Sequence, residues 1–498
     1  MNMKRIPVTD YLVLMPDGSG SRGDEAMLRG VLHMIGTASL TLLNIDCHRP
    51  YDGKIPDLTG RYYEVYLSEC TSELFSKNQQ LLVIGADVID GTYGTDDSLL
   101  RLRIVENALW AGVCVHIFCS FRSNVDEKIV NKISSLGQNK IYWHMRDPIS
   151  LQNFAQQTGI DADFFPDLAF LCSPQKTNYA AAVTECLSRQ RQNGRVLVGL
   201  NFSQPSFDSL YDENTSENQC MYVKNAIQCI QKAVPNAYFV LISHDSRQWA
   251  GHLSDAAFSV TAAGYIGEKQ CLILHEETGY PEELYIIQHL DFVVSGRMHL
   301  AIAAFSSGSV PIVYTGVSAK YSMSEKVEGI FQSRIGRTDL AAYSLTELDA
   351  ALQIVLTQKT KLQQCLHEYR MNNKICETEE LERLRKEFDQ SRKEMQQPGL
   401  RKEPERSGLL MEYTGKADSG RTYKEDFKGE PEKVSEKTIL KETILKETLL
   451  EKASLEETLN EKEQISALSR GYTKSITIIE HLTRECIQIE KEKKGIDT

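Results

Sequence analysis

The segment "DFVVSGRMHLAIAAFSSGSVPIVYTGVSAKY", residues 291–321, sets an arginine and a histidine two positions apart. Phe292–Val294 is an apolar run of the length of a short buried strand, and Leu300–Phe305 reads as the tightly packed start of a helix. Arg297 and His299 then stand on the turn between them. A guanidinium is a planar fork that holds a carboxylate or phosphate at two points. The first N–H groups of the following helix have no partners within it and add to anion binding. Histidine titrates near neutral pH and can act as a general acid. Such a turn can hold an anion and hand it a proton; the competing reading is an ion-paired arginine beside a cap-adjacent histidine. Lys320, beyond the last strand-like run, is a possible second cation.

Three further turns carry residues of the same kind. "PDGSGSRGDEAMLRG" follows a first apolar run and opens a helix, so its glycines, Gly23 among them, would let backbone N–H groups approach an anion. It has neither the GxGxxG spacing nor a Walker lysine, and Asp24 and Glu25 equally suit a plain helix start. "HMRDPISL" places Arg146 and Asp147 after a strand-like run, with Pro148 fit for a first helical turn; the plain alternative is an Asp N-cap and a surface arginine. In "LISHDS", His244 and Asp245 again follow a strand end, as a site pair or as a turn and cap.

The elements that must position these turns alternate. Strand-like runs "YLVLM", "LTLLNI", "LLVIGA", "VCVHIFC" and "KIYWHM" start at 11, 40, 81, 113 and 140, with helical patterns at 24–36, 97–111 and 148–158. That rhythm predicts a mostly parallel sheet with helices on both faces over residues 1–175. A polar, poorly patterned stretch at 173–194 follows. The rhythm then resumes with "RVLVGLN", "AYFVLIS", "CLIL", "DFVVS" and "VPIVY", predicting a second α/β lobe over 195–345. Two tandem lobes leave a cleft between the carboxyl ends of their strands, where open α/β sheets bind ligands. Residues 346–397 read as a helical extension, and 398–432, opened by Pro398-Gly399, as a polar linker. A five-residue repeat begins "KTILKETILKETLL" in the helical, partly disordered tail 433–498; that period advances roughly 500° around a helix, so its apolar pairs drift and form no stable heptad seam. Such a tail reads equally as a solvated, partly disordered segment or as a surface for self-association or a protein partner.

Composition narrows the classes. The chain has 498 residues, 41% of them hydrophobic, and a net charge of -12, without the basic stripe that a nucleic-acid backbone requires. The N-terminal apolar run is too short for a signal-peptide core, and no run of about 18 apolar residues offers a transmembrane segment; a cytoplasmic location is expected. The 12 cysteines are scattered, with no CxxC pair or zinc spacing.

Taken in order, "GDEAML", "MRDPIS", "VGLN", "SHDS" and "SGRMHLAIAAFSSGSVPIVYTGVSAKY" resemble the polysaccharide pyruvyl transferase family over about residues 10–335. The sequence departs from the family's pattern at "VIGADVIDGTYG", where a run of glycines is usual, and at "FCSFRSN". The resemblance implies two Rossmann-like lobes similar to the glycosyltransferase B fold. It implies transfer of pyruvate from phosphoenolpyruvate onto two hydroxyls of a saccharide acceptor as a ketal, with phosphate released, in surface or exopolysaccharide biosynthesis. It implies no cofactor and no metal. On this resemblance His299 is the acid and Arg297 the anion clamp. Gly23, Asp24, Glu25, Arg146, Asp147, Asn201, His244, Asp245 and Lys320 line the substrate site, Asp24 or Glu25 serving as base. A nucleotide-sugar glycosyltransferase of the same fold, or a non-catalytic assembly protein acting through the tail, are the alternatives.

Overall fold

A computed structural model describes residues 9–46, 49–51, 55, 62–66, 74–75, 79–137, 140–247, 253–317 and 324–396. The first lobe runs β1 (Tyr11–Leu14), α1 (Arg22–Ile35), β2 (Leu40–Asn44), β3 (Tyr62–Tyr66), β4 (Gln80–Ile84), α2 (Thr95–Trp110), β5 (Cys114–Cys119), α3 (Glu127–Ser135), β6 (Ile141–Met145), α4 (Pro148–Thr158) and β7 (Asp163–Phe164). Its strands form one parallel sheet in the order β3-β2-β1-β4-β5-β6-β7. Continuous apolar runs such as Leu81–Ile84 are buried on both faces, as a parallel sheet covered by helices demands.

After α5 (Asn178–Gln192) comes the second lobe: β8 (Val196–Asn201), α6 (Gln204–Leu210), α7 (Ser216–Ala233), β9 (Ala237–Leu241), α8 (Asp255–Ile266), β10 (Cys271–Ile273), α9 (Tyr280–Ile287), β11 (Phe292–Ser295), α10 (Met298–Ser307), β12 (Val310–Tyr314), α11 (Ser324–Ile330) and β13 (Ala341–Ala342). Its sheet, also parallel, is ordered β10-β9-β8-β11-β12-β13. In both sheets the chain lays three strands outward and then crosses back beside the first, with switch points between β1 and β4 and between β8 and β11. These two Rossmann-like lobes have the architecture of the glycosyltransferase B type.

The stretch expected to be unpatterned, 173–194, holds α5. Thr177 caps it by accepting from the Ala180 N–H, and Ala180, Val183, Thr184 and Leu187 form the buried stripe. Its other faces are polar, which hid the period. The tail and linker readings at 398–498 lie outside the described residues, as does Lys320.

Two helices follow β13: α12 (Leu345–Thr357), which packs into the second lobe, and α13 (Lys359–Gln396), which starts there and ends on the first. Leu362 and Leu366 belong to the second lobe's core, whereas Leu381, Leu384 and Phe388 join Tyr11, Val13 and Leu82 in the first lobe. The lobes also meet directly. Arg22 N–H donates to the His244 carbonyl and Ser246 N–H to that of Gly20, both at 2.9 Å, joining the loops after β1 and β9.

Candidate functional site

The turn singled out in the sequence lies at the second switch point. Ser295 ends β11, and Arg297 is the N-cap residue of α10 with no side-chain cap on the helix. Its backbone is held by Ser295, whose hydroxyl donates to the Arg297 carbonyl at 2.8 Å and accepts from its N–H at 2.9 Å. The fork meets the chain's own carboxylates: Nη2 donates to Asp255 Oδ1 at 2.8 Å and Nη1 lies 3.2 Å from Asp245 Oδ2. Arg297 is therefore part of a ladder that crosses between the lobes. Arg247 Nη2 donates to Asp245 Oδ2 at 2.8 Å, and its Nη1 reaches Asp24 at 3.1 Å and Asp17 at 3.2 Å in the first lobe. At the far end Asn201 Nδ2 donates to Asp255 Oδ2 at 2.8 Å.

These carboxylates do not share one state. Burial pushes the Asp245 carboxyl up, but Arg247 and Arg297 outweigh it and hold it below the usual carboxylate range. At Asp255 and Asp24 burial wins, against Arg297 and Arg247 respectively, and their carboxyls sit above it.

His299 faces a second cluster. Its Nε2 lies 3.4 Å from Asp167 Oδ2, and Arg146 Nη1 donates to the same oxygen at 2.8 Å. Asp167 is buried, which raises its pKa, yet the charges of His299 and Arg146 and the Ala169 N–H take it well below the ordinary value. Arg146, just past β6, is almost fully buried; its Nε and Nη2 make no hydrogen bond, Asp147 and Asp87 being 3.9 Å away. Lys326 of α11 and the Ser120 hydroxyl hold Asp87 from the other side. The imidazole of His299 lies over Gly23 so closely that a Cβ there would come within 2.3 Å of Nδ1. Only glycine admits that approach.

The remaining predicted residues take quieter places. Glu25 is engaged by Arg22 at 3.0 Å, by Arg29 at 2.9 Å and by the Tyr280 N–H at 3.2 Å. That binds its charge to structure, whereas Asp24 is held by Arg247 from the other lobe. Asp147 caps α4 through the Ser150 N–H and hydroxyl, the plain reading of that motif. His244 Nδ1 pairs with buried Glu283 at 3.0 Å. The sequence reading missed Asp167, Arg247 and Asp255. Asp167 stands just past β7, a strand of two residues too short to leave a period, and Arg247 is separated from its first-lobe partners, Asp17 and Asp24, by more than 200 residues.

Among the described residues, His116, His144 and Glu387 bring metal-ligand atoms within 4.8 Å of one another. His116 Nδ1 and His144 Nε2 are 3.1 Å apart, within hydrogen-bond distance of each other.

Residues 121–315 match the family model of the polysaccharide pyruvyl transferases. The match, to a transferase family, includes Arg146, Asp147, Asn201, His244, Asp245, Arg297 and His299, and also Asp167, Arg247 and Asp255; Gly23, Asp24 and Glu25 precede it. No curated protein matches the chain. Similar solved structures include a UDP-glucosyltransferase from Polygonum tinctorium that glucosylates indoxyl, at 11% identity over 78% of this chain and 100% of that one, with a TM-score of 0.48. A transferase of Siraitia grosvenorii bound to UDP aligns at 11% identity over 76% and 99%, with a TM-score of 0.46. A putative UDP-N-acetylglucosamine 2-epimerase from Listeria monocytogenes aligns at 11% over 72% and 91%, with a TM-score of 0.45.

Proposed function

We propose that the protein transfers pyruvate from phosphoenolpyruvate to two hydroxyls of a saccharide, forming a ketal and releasing phosphate. The observation that carries this reading is the convergence of His299 and Arg146 on Asp167, beside the uncapped start of α10, within the segment that matches the pyruvyl transferases. The spare donors of Arg146 and the first N–H groups of α10 suit a ligand bearing both a carboxylate and a phosphate. Arg297, with its fork on Asp255 and Asp245, supports the wall of that site; it serves as the clamp only by exchanging one of these carboxylates for the ligand's.

His299, whose Nε2 lies 3.4 Å from Asp167, passes a proton to the methylene carbon of phosphoenolpyruvate. The adjacent carbon becomes electrophilic. A sugar hydroxyl attacks it, giving its proton to Asp24, whose carboxyl burial already tunes upward. The C–O bond to phosphate breaks, phosphate leaves, and the second hydroxyl closes the ketal with loss of its proton. One donor and one diol thus yield one ketal and one phosphate.

Thermal-shift measurements with phosphoenolpyruvate, UDP-sugars and GDP-sugars test the donor. Stabilisation by phosphoenolpyruvate alone is the expected result; stabilisation by a nucleotide sugar in its place assigns the chain to the glycosyltransferase chemistry instead. Mass spectrometry of saccharides incubated with donor and protein then looks for the pyruvate ketal.

A further inference from the structure

Two imidazoles lie in the core of the first lobe among aromatic rings. His116 of β5 and His144 of β6 are both buried, and Phe118 stacks on His144 with ring centroids 4.6 Å apart. The two imidazole planes are 4° apart with centroids at 5.4 Å, so the rings meet nitrogen to nitrogen, His116 Nδ1 to His144 Nε2 at 3.1 Å, and not face to face. A buried neutral imidazole has one donor and one acceptor, and both need partners. His116 Nε2 has Cys114 Sγ at 3.7 Å, but His144 Nδ1 has no hydrogen-bond partner among the described residues. Residues two apart along a strand face the same way. Two positions on, just past β6, stands Arg146, whose Nε and Nη2 are in the same condition. His144, Arg146 and Asp167 line one cavity, whose walls include Met27, Phe118 and Phe165; about 10 Å³ of it is open to the centre of a water, room for a single molecule.

We propose that this cavity holds a fixed water that joins His144 to Arg146, which makes His144 a positioning residue for the arginine of the candidate site. The inference rests on the transferase reading above and names what orients its donor-binding guanidinium. Three unpaired polar atoms on residues that line space for one molecule mark a place where proteins retain water, because leaving such atoms unpaired costs more than immobilising the water. Arginine sets the direction of the chain, since it only donates. An N–H of Arg146 donates to the water, the water donates to His144 Nδ1, His144 Nε2–H donates to His116 Nδ1, and His116 Nε2–H turns to the Cys114 sulfur. Each ring then carries its one proton at Nε2. The consequence reaches His299 through Arg146. Asp167 accepts from Nη1 at 2.8 Å, and the water holds the opposite edge, so the guanidinium keeps its remaining donors toward the ligand and keeps Asp167 at 3.4 Å from His299 Nε2.

The test uses the full chain with His144→Asn and His144→Gln. The asparagine amide takes the place of Nδ1 and keeps an acceptor for the water; the glutamine amide reaches the place of Nε2 and keeps His116 but not the water. Phosphoenolpyruvate binding is measured by calorimetry, and the histidine ring nitrogens are read by NMR of nitrogen-labelled protein, His116→Gln assigning the second ring. Expected are Nε2 protonation of both rings in the native chain, donor affinity within about three-fold of native in His144→Asn, and affinity roughly ten-fold weaker in His144→Gln, the worth of one hydrogen bond. A residue needed only for packing or for its bond to His116 gives the reverse order, because glutamine is closer to histidine in size. That order, native affinity in both variants, or a native His144 protonated at Nδ1 overturns the water chain and leaves the transferase reading standing. A zinc ion retained by the native chain and lost in His116→Gln places a metal between the rings and overturns it too. If phosphoenolpyruvate fails to bind the native chain, the transferase reading falls, and the ring nitrogens alone decide the water.

Discussion

Gly23 and His299 belong to different lobes, and their contact is the tightest constraint on the candidate acid. An alanine methyl at 23 would press on the Nδ1, Cγ and Cβ atoms of the imidazole, the last at 3.1 Å, so the ring cannot simply rotate aside. Gly23→Ala is expected to move His299 off Asp167 and lower turnover by about 10²-fold, since displacements near 1 Å cost that much. Steady-state kinetics checks this, and unaltered turnover with a native circular-dichroism spectrum would show that the contact has no role in the chemistry. Arg297→Lys is a different case. An ammonium replaces a fork that bridges Asp245 and Asp255, leaving one buried carboxylate short of a partner. The expected cost is about 1–3 kcal/mol of stability, read from the urea midpoint, besides any change in donor affinity. A midpoint equal to that of the native chain would contradict the ladder.

At the scale of elements, β5 and β6 present His116 and His144 to the face covered by the end of α13. Phe388 packs edge-on against His116 with ring centroids 4.6 Å apart, and the Gln80 amide donates to the Phe388 carbonyl at 2.9 Å. Burial lowers the pKa of both histidines, that of His144 to about 3, with the nearby Arg383 charge adding to the effect. Below about pH 6.5 the unfolded chain takes up a proton at His144 that the folded chain refuses, so this residue subtracts stability as pH falls until the folded pKa is reached. Asp90, raised to about 6 chiefly by burial and then by Asp87, works in the opposite direction, and a raw pH profile mixes the two. The difference between chains isolates the histidine. His144→Gln should gain on the native protein by roughly 1.4 kcal/mol for each pH unit between 6 and 4. Urea unfolding at pH 6, 5 and 4 measures it, and a constant difference across that range would refute buried neutrality at His144.

For the whole molecule, α13 is one of the elements that join both cores, and the boundary proposed at Pro398 rests on it. A chain ending at residue 397 should unfold at the same temperature as the full chain. One ending at 358 should lose several degrees or fail to fold, because Leu362, Leu366, Leu381, Leu384 and Phe388 would leave two cores uncovered. A fall of tens of degrees for the longer chain would place the boundary elsewhere. Differential scanning calorimetry of both decides it. The alternation of apolar runs with helical periods made the two α/β lobes legible, because strand and helix patterns arise from residues close together in the chain. The same locality exposed Arg297 and His299, which sit where a run of one period gives way to the other. It did not expose β3, whose residues are mostly half-exposed, nor the two-residue strands β7 and β13, which are too short to carry a period. What Arg297 and His299 touch is a different kind of fact. Asp167, itself held by Arg146, reaches His299, and Asp245 and Asp255 reach Arg297, from 42 to more than 100 positions away in sequence. Local pattern determined which strand ends carry charged and titratable side chains; only the folding of two sheets onto a common cleft decided that one turn's arginine would be spent on its own aspartates while the buried Arg146 of another kept donors to spare, because pairing across a cleft depends on distances that no local period encodes.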